Sequence, residues 1–230
     1  MNMPCQDAHY IDKLSKAMII TVADGLGSAD NGDVGARVAS RVMNKAVRCG
    51  LTQKPKWTVR RILGKAYTIT QKELLTYSQK QGYPLSSYAT TLITSVIVPI
   101  GIATLHVGDG VVVAKVDDEL KIITMPRMGE YANEVVPITH IKQSRKLAEF
   151  KITKGRVQFV AVMTDGLERL SMQLSDLSPF EPFFKPFFSA ITSDEMSDNE
   201  LEEALTSYLG SDDVCSRTSD DKTLVLVGKR

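Results

Sequence analysis

Short runs of apolar, β-branched residues punctuate the chain, and the first strong one is Met18–Val22. It does not alternate between apolar and polar side chains, so it predicts a strand that is buried on both faces. A second strongly apolar strand is predicted at Val157–Met163. Both runs stop abruptly at an acid and a glycine, Asp24-Gly25 and Asp165-Gly166. The chain therefore uses one feature twice, an apolar strand that ends in an acidic turn.

Helical periodicity begins soon after the first acidic turn. Apolar residues recur at helical spacing from Asp33 and predict a helix that ends at Gly50, where a left-handed cap is easy. A second helix is predicted from an N-cap at Thr58 to Gly82. The two are expected to form a helical hairpin.

The rest of the pattern predicts short antiparallel strands and one further long helix. The strands of a meander are predicted at 89–98, 101–107, 111–116 and 121–124, with a closing strand at 224–227 and a helix at 200–209. The run 7–11 is expected to pair with 18–22 through a turn at Asp12-Lys13. The proline-broken aromatic segment 179–188 is expected to pack in the core where a helix begins.

The acidic turns admit more than one interpretation. Asp-Gly is a common turn dipeptide, so a single turn, including the one at Gly108–Gly110, is explained by hairpin chemistry alone. A dinucleotide fingerprint starting at Gly25 and Gly27 fails, because its third glycine position holds Asp30, which would repel a pyrophosphate. An EF-hand loop fails as well, since its ligand spacing cannot be laid over the segment.

Acidic residues stand at the ends of several predicted strands, and these strands would share one core. The acids are therefore interpreted together and not as separate turns. Carboxylates brought together would raise each other's pKa unless cations lay between them. Oxygen ligands without His or Cys select Mg²⁺ or Mn²⁺. The sequence therefore predicts a metal site at the aspartates of these strand ends, Asp7, Asp24, Asp109, Asp165 and Asp220.

Composition and charge exclude several classes of function. The 230 residues are 43% hydrophobic, enough for a core, and 28 Lys and Arg balance 27 Asp and Glu. This balance argues against nucleic acid or an anionic membrane as the main partner, and the apolar run near 96–105 is too short to span a bilayer. The basic residues between 142 and 156 form either a solvated face or a surface that attracts an acidic or phosphorylated partner.

The cysteines and the start of the chain bear on the compartment. Cys5, Cys49 and Cys215 are odd in number and far apart in sequence, so reduced thiols are expected. No basic-then-apolar leader is visible. Both observations favour the cytoplasm.

At this point the sequence resembles the metal-dependent protein phosphatases of the protein phosphatase 2C type, particularly their compact bacterial members. Each motif is weak alone, but seven in the family's order are specific. They are Gln6-Asp7-Ala8, Val22-Ala23-Asp24-Gly25-Leu26-Gly27, Thr90-Thr91-Leu92, His106-Val107-Gly108-Asp109, Gly129-Glu130-Tyr131-Ala132-Asn133-Glu134, Thr164-Asp165-Gly166-Leu167 and Asp220-Asp221-Lys222-Thr223-Leu224.

The resemblance implies an α+β fold, a four-layer αββα sandwich of two antiparallel β-sheets flanked by helix pairs. It implies a single domain over 1–230, with 126–154 as a flap over the cleft. It also implies a metal-dependent serine/threonine protein phosphatase, in which a hydroxide that bridges two metals attacks the phosphorus. A phosphorylated protein substrate, a partner Ser/Thr kinase and a monomer are expected.

The resemblance further implies roles for single residues. Asp24 would bridge two metals, with the Gly25 carbonyl as a further ligand, and Asp7 would hold metal-bound water. Asp165 and Asp220 would complete the second metal, and Asp109 with Asp165 would match a third, looser position. Asp7 and Asp24 are therefore the expected catalytic residues.

Three positions depart from the family's pattern, and one of them, Gly110 in place of the usual serine after Asp109, is expected to be tolerated. The arginine that grips the phosphate in other members corresponds to Asn2, so the phosphate-binding residue is not identified. Eukaryotic members often have a histidine, proposed as a general acid, directly after the Asp-Gly pair, and this chain has Leu26 there. Asn2 leaves open an alternative, a catalytically weak relative that binds phosphoproteins or a regulatory ligand. A phosphodiesterase using two metals has less support, because no basic stripe with interleaved aromatics is visible.

Overall fold

The computed structural model describes residues 5–125, 135–173, 175–193 and 195–228. The strands are β1 (Asp7–Lys13), β2 (Met18–Asp24), β3 (Leu92–Val98), β4 (Gly101–Val107), β5 (Val111–Val116), β6 (Glu119–Thr124), β7 (Glu149–Lys154), β8 (Val157–Met163), β9 (Met172–Gln173), β10 (Ser178–Pro179) and β11 (Leu224–Gly228). The helices are α1 (Gly32–Gln53), α2 (Val59–Gln81), α3 (Ile141–Leu147), α4 (Glu168–Ser171), α5 (Glu181–Thr192), α6 (Asp198–Leu209) and α7 (Asp212–Cys215), with 3-10 turns at Leu85–Tyr88 and Asp165–Leu167.

Two antiparallel sheets form the centre of the molecule. The first has the strand order β1-β2-β3-β4-β7 and the second has the order β11-β8-β5-β6. The turn Gly108–Gly110 was expected to close a hairpin of one meander, and this expectation is wrong. It carries the chain from β4 in the first sheet to β5 in the second, so Asp109 lies where the chain crosses between the sheets.

Three apolar clusters separate four layers and confirm the predicted αββα sandwich. Residues between α1, α2 and the first sheet include Met43, Leu63 and Leu92. A second cluster, which includes Val22 and Val160, fills the space between the two sheets. A third lies between the second sheet and the C-terminal helices. β2 and β8 each have an apolar cluster on both faces of their sheet. Their sequences are therefore mostly apolar and do not alternate between apolar and polar side chains.

The first helix pair begins and ends for local reasons. Thr58 accepts a hydrogen bond from the Arg61 backbone N–H at 3.3 Å as the N-cap of α2, and Gly82 closes that helix at φ 76°, both as predicted. α1 continues past Gly50 to Gln53, so the predicted end at Gly50 is wrong. A side chain at Gly50 would meet Ile62 Cγ2 at 2.5 Å, so the glycine allows the two helices to approach closely.

The aromatic segment packs as predicted. Phe183 and Phe184 of α5 are buried against the second sheet, with ring centroids 5.0 Å apart in an edge-to-face arrangement. α6 follows behind a capping box between Ser197 and Glu200. α5 covers the second sheet, and α6 adds the partly buried side chains of Leu205 and Leu209 to the same apolar cluster.

The predicted flap at 126–154 and the single domain over 1–230 stay predictions. Residues 126–134 lie outside the described residues, and the remainder contains α3 and then β7, which pairs with β4 at the edge of the first sheet. No helix in the described ranges combines the length and the apolar character needed to cross a membrane.

Candidate metal centre

The first two strands bring two of the predicted carboxylates together. β1 and β2 pair antiparallel through the short turn between them, in a register that places Asp7 directly opposite Asp24. The predicted pairing of these strands is confirmed, but the predicted turn at Asp12-Lys13 is wrong, because both residues belong to β1 and pair with Ile19 and Met18. Directly opposed residues have their Cβ atoms only about 5 Å apart. One hairpin thus fixes two acids at the same end of the first sheet.

Two more carboxylates reach Asp24 from other elements. Asp109 follows β4 at the crossing between the sheets, and Asp165 follows β8 of the second sheet. One carboxylate oxygen from each of Asp24, Asp109 and Asp165 lies within 4.8 Å of the others, in a grouping that could hold a metal ion. The cluster therefore lies across both sheets and needs the whole sandwich for its assembly.

Asp220, the fifth predicted residue, is brought near Asp165 by close packing of two backbone segments. The segment that contains Asp220 precedes β11, which pairs with β8 next to Asp165. A side chain on Gly166 would collide with the carbonyl oxygen of Asp221, so glycine is required where these segments meet. Asp220 is exposed, and its charge contributes to raising the pKa of both Asp109 and Asp165. All five predicted aspartates thus lie at one end of the sandwich.

Burial and mutual repulsion perturb the carboxyl groups. Burial is the largest cause that raises the pKa of Asp24, followed by the charges of Asp7, Asp165 and Asp109. The pKa of Asp7 is raised to about 6 and that of Asp109 to about 7, in both cases mainly by burial. Desolvation also raises the pKa of Asp165. A cluster in this state favours positive charge, whether protons or metal cations.

Two buried oxygens in the cluster show that cations fit it. Asp7 Oδ1 and Asp165 Oδ1 are buried and have no hydrogen-bond partner among the described residues. Leaving such an oxygen without a partner costs about 1–3 kcal/mol, and more for a charged group. The three grouped residues offer only carboxylate oxygens, the donors of hard divalent cations. The residues present therefore suit Mg²⁺ or Mn²⁺.

Threonines that have no predicted role hold the carboxylates in place. Thr164 Oγ1 donates to Asp7 Oδ2 at 2.9 Å and accepts from the Thr223 backbone N–H at 3.0 Å. Thr91 Oγ1 accepts from the Asp24 backbone N–H at 3.0 Å. In the sequence, these threonines are distinguished only by their position inside the family motifs. Thr164 thereby links β1, β8 and the segment before β11.

Asp221 is another residue of the site without a predicted role. Its Oδ2 accepts a hydrogen bond from the Gln6 backbone N–H at 2.6 Å, across 215 positions of sequence. Its negative charge also contributes to raising the pKa of Asp7. Asp221 therefore fixes the segment before β1 against the segment before β11, and only the tertiary structure reveals this contact.

Three other positions were named from the sequence, Gly25, Asn2 and His106, and the structure describes two of them. Gly25 is buried, and a side chain there would collide with the backbone of Gly32 at the start of α1. Asn2 lies outside the described residues. His106 is buried, and neither ring nitrogen has a hydrogen-bond partner in the part of the chain that the structure describes. Burial lowers its pKa to about 4, so it is neutral at pH 7.

Comparisons with known proteins show the family to which the chain belongs. A family model for protein phosphatase 2C matches residues 1–206. The chain therefore belongs to the protein phosphatase 2C family. It is also similar to serine/threonine-protein phosphatase 3 of Escherichia coli strain K12, with 32% identity over 98% of this chain and 91% of that protein.

Solved structures share the fold at much lower identity. Serine/threonine phosphatase Stp1 from Staphylococcus aureus matches with a TM-score of 0.62 and 13% identity, over 99% of this chain and 90% of that one. The catalytic domain of the serine/threonine protein phosphatase PstP, solved with two manganese ions, matches with a TM-score of 0.63 and 15% identity, over 98% and 91% of the two chains. These likenesses support the fold.

Proposed function

We propose that this chain hydrolyses phosphoserine and phosphothreonine monoesters in proteins, using divalent cations held by the aspartate cluster. The observation that carries the proposal is the convergence of Asp24, Asp109 and Asp165 from both sheets, in a member of the protein phosphatase 2C family. The E. coli relative, named a serine/threonine-protein phosphatase, supports the substrate class.

The cluster has enough carboxylates for more than one cation. Asp24 pairs with Asp7 across the first hairpin and groups with Asp109 and Asp165, so it is the residue best placed to be shared by two ions. Asp165 and Asp220 would complete the second ion, and Asp109 with Asp165 a third, looser position. The two manganese ions named for PstP support Mn²⁺, with Mg²⁺ as the other hard cation of this donor set.

The residues contribute position and charge to the reaction. Divalent cations held by these aspartates would lower the pKa of bound water and neutralise phosphoryl oxygens, so no protein nucleophile would be required. Asp7 accepts a hydrogen bond from Thr164 on one oxygen, which leaves Oδ1 free to orient water. The Gly25 carbonyl is the expected backbone ligand. Because Gly25 must pack against Gly32, α1 holds the loop that presents it.

The proposed activity and the residues of the chain bear on the opposing enzyme, the oligomeric state and the compartment. A phosphatase acting on phosphoproteins requires a Ser/Thr kinase to supply them, and we include such a kinase as the opposing enzyme. The described carboxylates all come from one chain, which supports a monomer as the active unit. Cys5, Cys49 and Cys215 are exposed free thiols, which supports a reducing compartment such as the cytoplasm.

The test is hydrolysis of p-nitrophenyl phosphate and of a phosphothreonine peptide, measured with EDTA, Mg²⁺ or Mn²⁺. Asp24→Asn removes the shared ligand while keeping its shape. We expect it to lower kcat by at least about a hundredfold, comparable with the loss of other central electrostatic groups. The circular dichroism spectrum is expected to be unchanged.

The matched control is Asp30→Asn, which removes an exposed acid from the same loop. It is expected to keep wild-type turnover. Metal-dependent hydrolysis that survives Asp24→Asn would refute the bridging role. Hydrolysis that is equal in EDTA and in Mn²⁺ would refute the use of metal.

A further inference from the structure

An opening lies between the two sheets at the end of the sandwich opposite the aspartates. It has a volume of about 320 Å³ and is lined by the β1–β2, β3–β4 and β7–β8 turns together with the end of β11. Its floor includes Met18, Ile97, Val157 and Val227. These four side chains are partly buried and pack against the core between the sheets. Apolar surface of that core is therefore accessible at this end.

Positive charge surrounds this apolar floor. Lys13, Lys16 and Arg156 line the opening, and none of its described lining residues is acidic. Arg156 already forms an exposed ion pair of 2.8 Å with Asp118. Lys13 and Lys16 are exposed, and neither forms an ion pair with a described residue. The two lysines therefore leave a net positive charge beside accessible apolar surface.

We propose that this opening, the distal cleft, binds a small amphipathic anion, with an alkyl or aromatic body on the apolar floor and a carboxylate or phosphate near Lys13 and Lys16. Removal of the body from water supplies most of the affinity. The ammonium groups supply charge-assisted hydrogen bonds and select the anionic head. The volume lies at the lower end of small-molecule sites, roughly 300 Å³ and above, so the ligand is small.

The distal cleft is separate from the metal centre. It lies beside Met18 at the start of β2 and Val157 at the start of β8, whereas Asp24 and Asp165 follow at the other ends of these strands. The six steps from Met18 to Asp24 along this strand span about 20 Å. A ligand in the distal cleft therefore touches neither cations nor substrate. The proposal consequently stands independently of the phosphatase reaction.

The experiment measures binding of sodium decanoate to the full chain by calorimetry in EDTA, which removes metal as a possible carboxylate ligand. We expect decanoate to bind at least tenfold more tightly than butyrate, which has the same head and a shorter body. Decyltrimethylammonium has the same body with a cationic head, and we expect it to bind at least tenfold more weakly than decanoate.

Variants locate the bound anion. Lys13→Glu combined with Lys16→Glu is expected to weaken decanoate binding at least tenfold. The matched control is Lys65→Glu combined with Lys72→Glu, two exposed lysines of α2 whose reversal changes the net charge equally. The control is expected to bind like the wild type.

Three results would overturn the proposal. Equal weakening by both double variants would show a general effect of net charge. Equal binding of the cationic probe would show detergent-like association with apolar surface. Decanoate binding that Lys13→Glu/Lys16→Glu leaves unchanged would place the anion outside the distal cleft.

Discussion

At the scale of single residues, the decisive feature is a group of carboxyl groups that are too close and too buried to be ionised together. Burial and neighbouring charges raise the pKa of Asp7, Asp24, Asp109 and Asp165. Without metal, these groups therefore hold their protons to higher pH than isolated aspartates do. A bound cation requires ionised ligands, so metal and protons compete for the same oxygens.

Binding of Mn²⁺ is therefore expected to release protons near neutral pH. Two calorimetric titrations, in buffers with different ionisation enthalpies, will give different observed enthalpies if protons pass to the buffer. Since Asp109 has its pKa raised to about 7, the apparent affinity is expected to increase as the pH rises from about 6 to about 8. Equal enthalpies in both buffers would contradict this expectation.

Asp221 is expected to act through structure. Asp221→Ala removes the acceptor of the Gln6 backbone N–H and is expected to lower the free energy of unfolding by about 1–3 kcal/mol. Asp221→Asn retains an acceptor oxygen and removes only the charge beside Asp7, so its stability is expected to stay close to that of the wild type. Urea denaturation of both variants checks this difference, and equal losses would contradict it.

At the scale of elements, the close approach of two segments positions the second half of the centre. β8 ends next to the segment that precedes β11, and Gly166 is the residue at which their backbones meet. The pairing of Leu224 with Met163 sets the register of that approach. The position of Asp220 relative to Asp165 therefore depends on the absence of a side chain between them.

Gly166→Ala is expected to push the Asp220-Asp221 segment away and to raise the Mn²⁺ concentration needed for half-maximal activity by about tenfold or more. Overpacking of this kind also lowers stability by about 1–3 kcal/mol. The control Gly210→Ala adds the same methyl group where the nearest atom is 3.4 Å away, and is expected to have little effect. Equal Mn²⁺ requirements in the two variants would refute a role for close packing at Gly166.

At the scale of the whole molecule, the centre belongs to no single sheet. Asp7 and Asp24 end strands of the first sheet, Asp165 ends a strand of the second, and Asp109 lies at the crossing. Repulsion among them therefore opposes the packing of the two sheets. Cations that bind the folded state alone would relieve this repulsion and stabilise the sandwich.

The metal-free chain is expected to lose stability as pH rises. A carboxyl group with a raised pKa binds its proton more tightly in the fold than in the unfolded chain. Its contribution is therefore present at low pH and is lost as pH rises through the folded values, about 6 for Asp7 and about 7 for Asp109. Melting temperatures in EDTA between about pH 5.5 and pH 8 measure this loss.

Mn²⁺ is expected to raise the melting temperature more at the upper end of that range than at the lower end. Asp24→Asn serves as the control, because it removes one charge of the cluster and should flatten the pH dependence in EDTA. An unchanged slope in that variant would show that the carboxyl groups of the cluster do not set the pH dependence.

The sequence alone predicted most of the elements and the identity of the acids, but it did not predict α3 or β7. Apolar runs, caps and turns are local features, so β2, β8, α1 and α2 were predicted with errors confined to their boundaries, such as the end of α1. The family motifs named Asp7, Asp24, Asp109, Asp165 and Asp220, and all five lie at one end of the fold.

Only the tertiary structure decided how these parts meet. The crossing at Asp109, the contact of Asp221 with Gln6, the threonine links and the distal cleft all join residues that are distant in sequence or belong to different sheets. A local pattern records the propensity of its own segment, and it carries no record of which segment will pack against it. Packing of the two sheets determines those partners, and with them the geometry of the centre.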